Sequence, residues 1–403
     1  MDKKKYRWII CAGCTLMFFC TAGLGMTGFT VYQPYLISAG GLTNAQASML
    51  TSIRSMFSFL MMFAAGWILD KTDIRAGGTI AVLGIALSLG LYGVADSFPV
   101  YAAAAAVAGA CYGLGGMLAV SVMIHRWFED HQGIAIGICS AGSGFSAVVG
   151  TPVITWLVER STMKTAFFIE AGFVAAMAVI VFLVLRDTPS GEKKSTEFTA
   201  GTGRKKAKRP VMRITARQSA MVMAGALFMG FTYAASSHIS VLYKSEGYSA
   251  GEVSLLVSVF GAALFIGKCV YGQAADRLGS FASGNIFFGV LVLGNLMTCF
   301  ASGGSMMTAS ASVILVGIGS VLLSVGLTII ADTVAEPQHY AVVVRRIQIV
   351  YMLGSMCFGS VPGMIADKTG SYIPAYLLMA LFAAAAALLV QTVLFRCTKG
   401  DTK

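Results

Sequence analysis

The sequence predicts an all-α membrane protein, with twelve transmembrane helices in two pseudo-symmetric six-helix bundles. Three observations lead there. Of the 403 residues, 57% are hydrophobic and only 12% charged, and the mean hydropathy is +0.77, values foreign to a soluble domain of this length. The apolar residues fall into twelve runs, six on each side of a basic linker. The Lys and Arg residues gather almost entirely on one side of the implied membrane.

Each run is long enough to cross a bilayer core, which takes about 20 apolar residues. The first, 8–37, follows MDKKKYR. That charged start mimics a signal peptide, but the apolar stretch is too long for one and no convincing cleavage site follows, so it is expected to stay as the first helix. Runs at 45–69, 76–95, 98–124, 132–158 and 164–186 complete the first bundle, separated by short polar breaks. A polar linker, 187–215, contains RKKAKR at Arg204 to Arg209. Six further runs, at 216–243, 250–273, 281–301, 306–331, 341–365 and 372–395, form the second bundle. The domains are thus 1–186, the linker, and 216–403.

Charge gives the orientation. With the N-terminus inside, the inner segments hold 23 of the 29 Lys and Arg residues. The outer loops hold Arg160, Lys164, Lys244 and Lys368, and Arg54 and Lys268 lie within runs. This asymmetry puts both termini in the cytoplasm and the chain in a cytoplasmic membrane of bacterial type. It also accounts for the net charge of +11 without nucleic acid as a partner. The linker's basic run reads as a topological signal facing anionic headgroups, so membrane lipids are the expected contacts. Eight of the nine cysteines lie in apolar runs and read as small buried residues. Cys11 and Cys14 have CxxC spacing, but no second pair or nearby histidine completes a metal site. No metal or cofactor is expected, and the protein is expected to be a monomer.

The chain also repeats itself. GWILDKTDIR, Gly66 to Arg75, follows the second run, and GQAADRLGSF, Gly272 to Phe281, follows the eighth, 206 residues later. Glycine lets helices approach closely, an aspartate can accept from helix N-terminal amides, and Lys71 or Arg277 follows as a cation. Gly66, Asp70, Lys71, Gly272, Asp276 and Arg277 therefore form a candidate gate, latching the halves on the inner face and releasing them when the outer face closes.

These features resemble the major facilitator superfamily, whose members carry G-x-x-x-D-[RK] between helices two and three and a weaker copy between eight and nine. Two segments give a narrower likeness: RWFEDHQGIAIGICSAGSG, Arg126 to Gly144, and PGMIADKTGSY, Pro362 to Tyr372. Both resemble the monocarboxylate transporters and the related oxalate/formate antiporters. The resemblance implies a major facilitator fold and a carboxylate substrate. Members of that family carry a substrate-binding arginine in helix eight, four residues before the loop glycine and eight before its aspartate. Here Lys268 has that spacing to Gly272 and Asp276.

The residues support the same expectation. Eight residues at 1.5 Å rise place Lys268 about 12 Å from the inner helix end, too deep for its side chain to snorkel. A carboxylate would relieve the cost of its desolvated charge. Arg54 lies about 12 Å inside the outer end of the second helix and is the second candidate, binding substrate or pairing with an outer acid such as Asp367. Tyr32, Tyr112 and Tyr233 fall on helices that surround the cavity in this superfamily and could enclose a planar anion or simply pack. His238 reads as a cavity-wall residue and Glu170 as an interface acid. The lysine and aspartate of proton-coupled members are replaced by Thr27 and Leu264. The expectation is therefore a secondary carrier of a mono- or dicarboxylate, working by alternating access and favouring anion exchange. A proton-coupled symporter, a multidrug exporter of the same superfamily and a non-transporting anion sensor are the alternatives. An enzyme is not expected, since His125, His131, His238 and His339 are scattered and no nucleophile, base and acid converge.

Overall fold

A computed structural model describes the backbone at residues 3–71, 73–128, 132–186, 215–300, 305–335 and 340–400. The helices group into twelve segments, called crossings here: α1 (3–38), α2 (Asn44–Lys71), α3 (Ile74–Val94), α4 (98–127), α5 (Gln132–Arg160), α6 (Met163–Val184), α7 (216–245), α8 (250–278), α9 (280–298), α10 (Met306–Val334), α11 (340–369) and α12 (Ile373–Gly400); among the described residues ten helices are long and apolar enough to cross a membrane, the one over 250–298 taking in both α8 and α9. The α8–α9 pair runs on as one helical stretch, interrupted at Gly279, whose φ of 81° only glycine adopts readily. Gly41 and Gly247 take similar left-handed turns between α1 and α2 and between α7 and α8. These two glycines are separated by the same 206 residues as Gly66 and Gly272, so the repeat read from the loops extends to the backbone.

Successive crossings alternate in direction, so both ends of each half lie on one face, called here the terminal face; the other is the far face. Of the linker, 187–215, all but Thr215 lies outside the described residues, RKKAKR included.

Several crossings are interrupted within their span. α1 is π-helical over Phe19–Gly28. α4 breaks at Gly116, α7 at His238 and α10 at a 3-10 turn, Ser320–Leu323. Inside a bilayer such irregular backbone is tolerated where it is buried in protein or lines a cavity. Four of the interrupted crossings, α1, α4, α7 and α10, recur every third helix; α11 is interrupted as well, at Gly359 and Ser360 between Phe358 and Val361.

The apolar core shows how the seam is closed. One cluster joins the first half to the far-face part of the second, including Leu242, Val257, Phe260, Phe358 and Tyr372. The terminal-face part of the second half, with Tyr271, Phe287, Ile330, Ile347 and Val390, forms a separate cluster. The halves are thus fused on the far face and separate towards the termini.

Candidate functional site

Small residues make the far-face fusion possible. A Cβ on Gly363 of α11 would lie 2.7 Å from Ser48 Cβ and closer still to Ser48 Oγ and the Asn44 carbonyl of α2. One turn earlier, a Cβ on Gly359 would lie 2.8 Å from Ser52 Oγ. At the rim, Asp367 accepts from Asn44 Nδ2 and from the Ala45 amide, both at 2.8 Å, and so caps the start of α2 from the other half. Tyr372 donates to Asn44 Oδ1 at 3.1 Å. His238 Nε2 and Ser48 Oγ share a hydrogen bond at 2.9 Å, with the imidazole fully buried. Asp367 is therefore not the partner of Arg54, and His238 is wedged in the closed seam rather than on a cavity wall.

Below this seal lies a small pocket between α1, α2 and α7, lined by Met26, Thr30, Thr51, Arg54, Ser55, Tyr233 and Ser237, with room for about one water molecule. Gly109 and Gly113 of α4 lock Arg54 in place: their Cβ positions would fall 2.8 Å from Arg54 Cα and 2.7 Å from the Ser58 carbonyl. The guanidinium, 3% exposed, donates through Nη2 to the Gly25 carbonyl and to Met26 Sδ and stacks on Phe29 at 4.5 Å. Its Nε has no hydrogen-bond partner. Ser55 Oγ meets Ser355 Oγ of the other half at 2.9 Å.

Lys268 comes from the second half and is 5% exposed. Its ammonium reaches across the seam to α5, donating to the Ser140 carbonyl at 2.8 Å and to Ser143 Oγ at 3.0 Å, with Phe18 5.9 Å away. It does not line the pocket around Arg54. Nearer the far face, Thr151 Oγ1 and Ser258 Oγ join the same two helices at 2.7 Å. Among the described residues, no acid lies within salt-bridge distance of Arg54 or Lys268. Both are thus buried cations held only by neutral oxygens, sulfur and rings, an arrangement that favours an incoming anion.

Other expected site residues fall elsewhere. Tyr32 is fully buried in the first half, stacked on Phe167 at 3.9 Å and donating to Glu170 Oε2 at 2.8 Å. It is not a cavity residue in this structure, because a buried carboxyl takes its hydroxyl. Glu170, 5% exposed with Oε1 unpartnered, is not an interface acid either. Thr27 spends its hydroxyl on the Ala22 carbonyl at 3.2 Å within the π-helical segment. Tyr233 lines the pocket, and its ring lies 6.2 Å from that of Tyr351, while Tyr112 is half-buried on α4. Of the candidate gate, the side chains of Asp70 and Lys71, and the surroundings of Gly66, lie outside the described residues. Asp276 and Arg277 are exposed, and Gly272 has open space where a close helix contact was expected.

The residues missed were Met26, Thr30, Thr51, Ser55, Ser237 and Tyr351. Helical spacing carried a signal for two: Thr51 precedes Arg54 by one turn, and Ser237 follows Tyr233 by one turn.

Two six-helix halves with interrupted helices at their seam, sealed on one face over buried cations, define a membrane transporter. The family follows from comparison: a model of the Major Facilitator Superfamily matches residues 14–356, and the chain belongs to that superfamily. Among its relatives, monocarboxylate transporter 12 of Rattus norvegicus is 24% identical over 298 residues, covering 67% of this chain and 60% of that protein. MFS-type transporter pynF of Aspergillus niger is 22% identical over 289 residues, covering 70% and 63%. The chain thus spans less than two thirds of the length of both. The aspyridones efflux protein apdF of Emericella nidulans is 24% identical over 377 residues, covering 91% and 73%. A bacterial homologue of the human lysosomal transporter Spinster, solved inward-facing and unoccupied, shares the fold with a TM-score of 0.67 at 17% identity, covering 99% and 98%.

Proposed function

We propose that this transporter carries a small organic anion with a carboxylate group, mono- or dicarboxylate, by alternating access and anion exchange. One observation carries the reading: two buried cations, Arg54 and Lys268, one from each half, have no acidic partner among the described residues. A carboxylate seated at the seam would offset their desolvation and tie the halves together through the ligand. Arg54, which borders the pocket and whose Nε is unpartnered, is the primary anchor; Lys268 would exchange its Ser140 and Ser143 contacts for substrate as the seam rearranges. In this reading the terminal face is cytoplasmic, and the protein works as a monomer whose two domains rock against each other. Gly66, Asp70, Lys71 and their second-half counterparts latch that face when it closes; the exposure of Asp276 and Arg277 agrees with an open terminal face.

Glu170 favours a second reading, proton-coupled symport. It supplies the buried carboxyl that the loss of the family's usual lysine and aspartate had removed from consideration. Efflux names among the relatives leave the direction of net flow open. Counterflow in proteoliposomes loaded with a carboxylate tests the proposal. Exchange proceeds when a proton uncoupler is present; uptake that collapses with the uncoupler would support symport instead, and no carboxylate movement at all would overturn both.

A further inference from the structure

Three arginines lie at terminal-face helix ends: Arg7 in the first turns of α1, Arg75 at the start of α3 and Arg186 just past α6. Arg75 of α3 stacks 3.9 Å from the Phe182 ring centroid and donates through Nε to the Phe182 carbonyl at 2.6 Å. Arg186, just beyond the helix, lies 4.7 Å over the ring of Tyr6, whose hydroxyl donates to the Val184 carbonyl at 3.1 Å. Arg7 lies 5.3 Å over Phe128, and its buried Nε has no partner. Trp127 Nε1 donates to the Arg186 carbonyl at 2.9 Å.

This is more than topology requires, since orientation needs only charge. Here Tyr6, Arg75 and Trp127 take the carbonyls at the end of α6, and ring faces hold the guanidiniums in fixed positions. A helix C-terminus attracts cations, but its roughly half an elementary charge cannot balance three of them. Among the described residues, no acid lies within salt-bridge distance of Arg7, Arg75 or Arg186. Beside them, Trp8, Phe182 and Leu183 are 42%, 44% and 67% exposed, as apolar side chains facing acyl chains would be.

We propose that this cluster binds the headgroup of an anionic phospholipid, with its phosphate held by Arg75 and Arg186, Arg7 alongside, and its chains lying over Trp8, Phe182 and Leu183. A forked guanidinium matches phosphate oxygens in geometry as well as charge, and basic pockets between spans at the membrane surface recognise such headgroups.

The test is native mass spectrometry of the delipidated full-length protein titrated with phosphatidylglycerol or phosphatidylcholine, with inorganic phosphate as a separate competitor. Wild type should keep phosphatidylglycerol under activation that strips phosphatidylcholine. R75Q/R186Q should weaken its retention by about a hundredfold, about tenfold for each charged contact removed. The Arg186 side chain makes no hydrogen bond to the described residues, so R186Q alone carries the test if the double variant fails to fold. R396Q, which removes an exposed cation of the other half, should leave phosphatidylglycerol retention at the wild-type level. Retention by R186Q equal to wild type, an equal loss in R396Q, or displacement by millimolar phosphate would overturn the proposal; the last would indicate a free-anion site instead.

Discussion

A single methyl group at Gly363 should pry the far face open. Its Cβ would lie 2.7 Å from Ser48 Cβ and closer still to the Asn44 carbonyl. That carbonyl belongs to the backbone of α2, so it cannot yield by a rotamer change, and α2 and α11 must separate. Overpacking of this kind costs about 1–3 kcal/mol. The methyl clashes only while the seam is closed, so the whole cost acts on the equilibrium between states, a shift of about 5- to 150-fold towards the far-open form. Nitroxides carried by unnatural residues at Ala39 and Lys244, on opposite halves of the far face, would report it in pulsed dipolar distance distributions. Gly363→Ala should move population to longer distances. An unchanged distribution in a variant of normal melting temperature would refute the idea that this glycine contact holds the seam.

Three further outcomes follow from the same geometry. Tyr32→Phe should cost about 1–3 kcal/mol in thermal stability, since the buried Glu170 carboxyl loses its one donor among the described residues, while carboxylate affinity stays near wild type; a lost affinity with intact stability would restore Tyr32 to the binding site. Asp367→Ala removes the cap on α2 and should broaden the same far-face distances without altering substrate affinity, measured by isothermal titration. Asp70→Asn should slow transport while leaving ligand binding intact, because a latch sets the balance of states rather than the site; transport at the wild-type rate would remove it from the gate.

Much of the fold is legible in hydropathy and charge because the bilayer imposes helix length and forbids most alternatives. The twelve runs match the twelve crossings to within a few residues, and the 206-residue offset reappears in Gly41 and Gly247. The interruptions were not legible. A break at Gly116, His238 or Ser320 depends on what the neighbouring helices present, which the local sequence does not record. Pairings over long separations were hidden for the same reason: Tyr32 finds Glu170 across 138 residues and Asp367 finds Asn44 across 323. Arg54 and Lys268 stood out as charges in apolar surroundings. Which of them borders the pocket was decided by packing, through Gly109 against α2 and through the reach of Lys268 to α5.

The central claim is that these two cations await a carboxylate, and melting curves test it most directly. Wild type, Arg54→Gln and Lys268→Gln would be melted with and without members of a mono- and dicarboxylate series from formate to succinate. At a hundred times Kd, the best of these should stabilise wild type by about 2.7 kcal/mol. Both glutamine variants should match or exceed wild type without ligand, relieved of an unpaired buried charge, and gain nothing on its addition. A full ligand-induced shift in Arg54→Gln, or no shift of wild type by any carboxylate, would contradict the account.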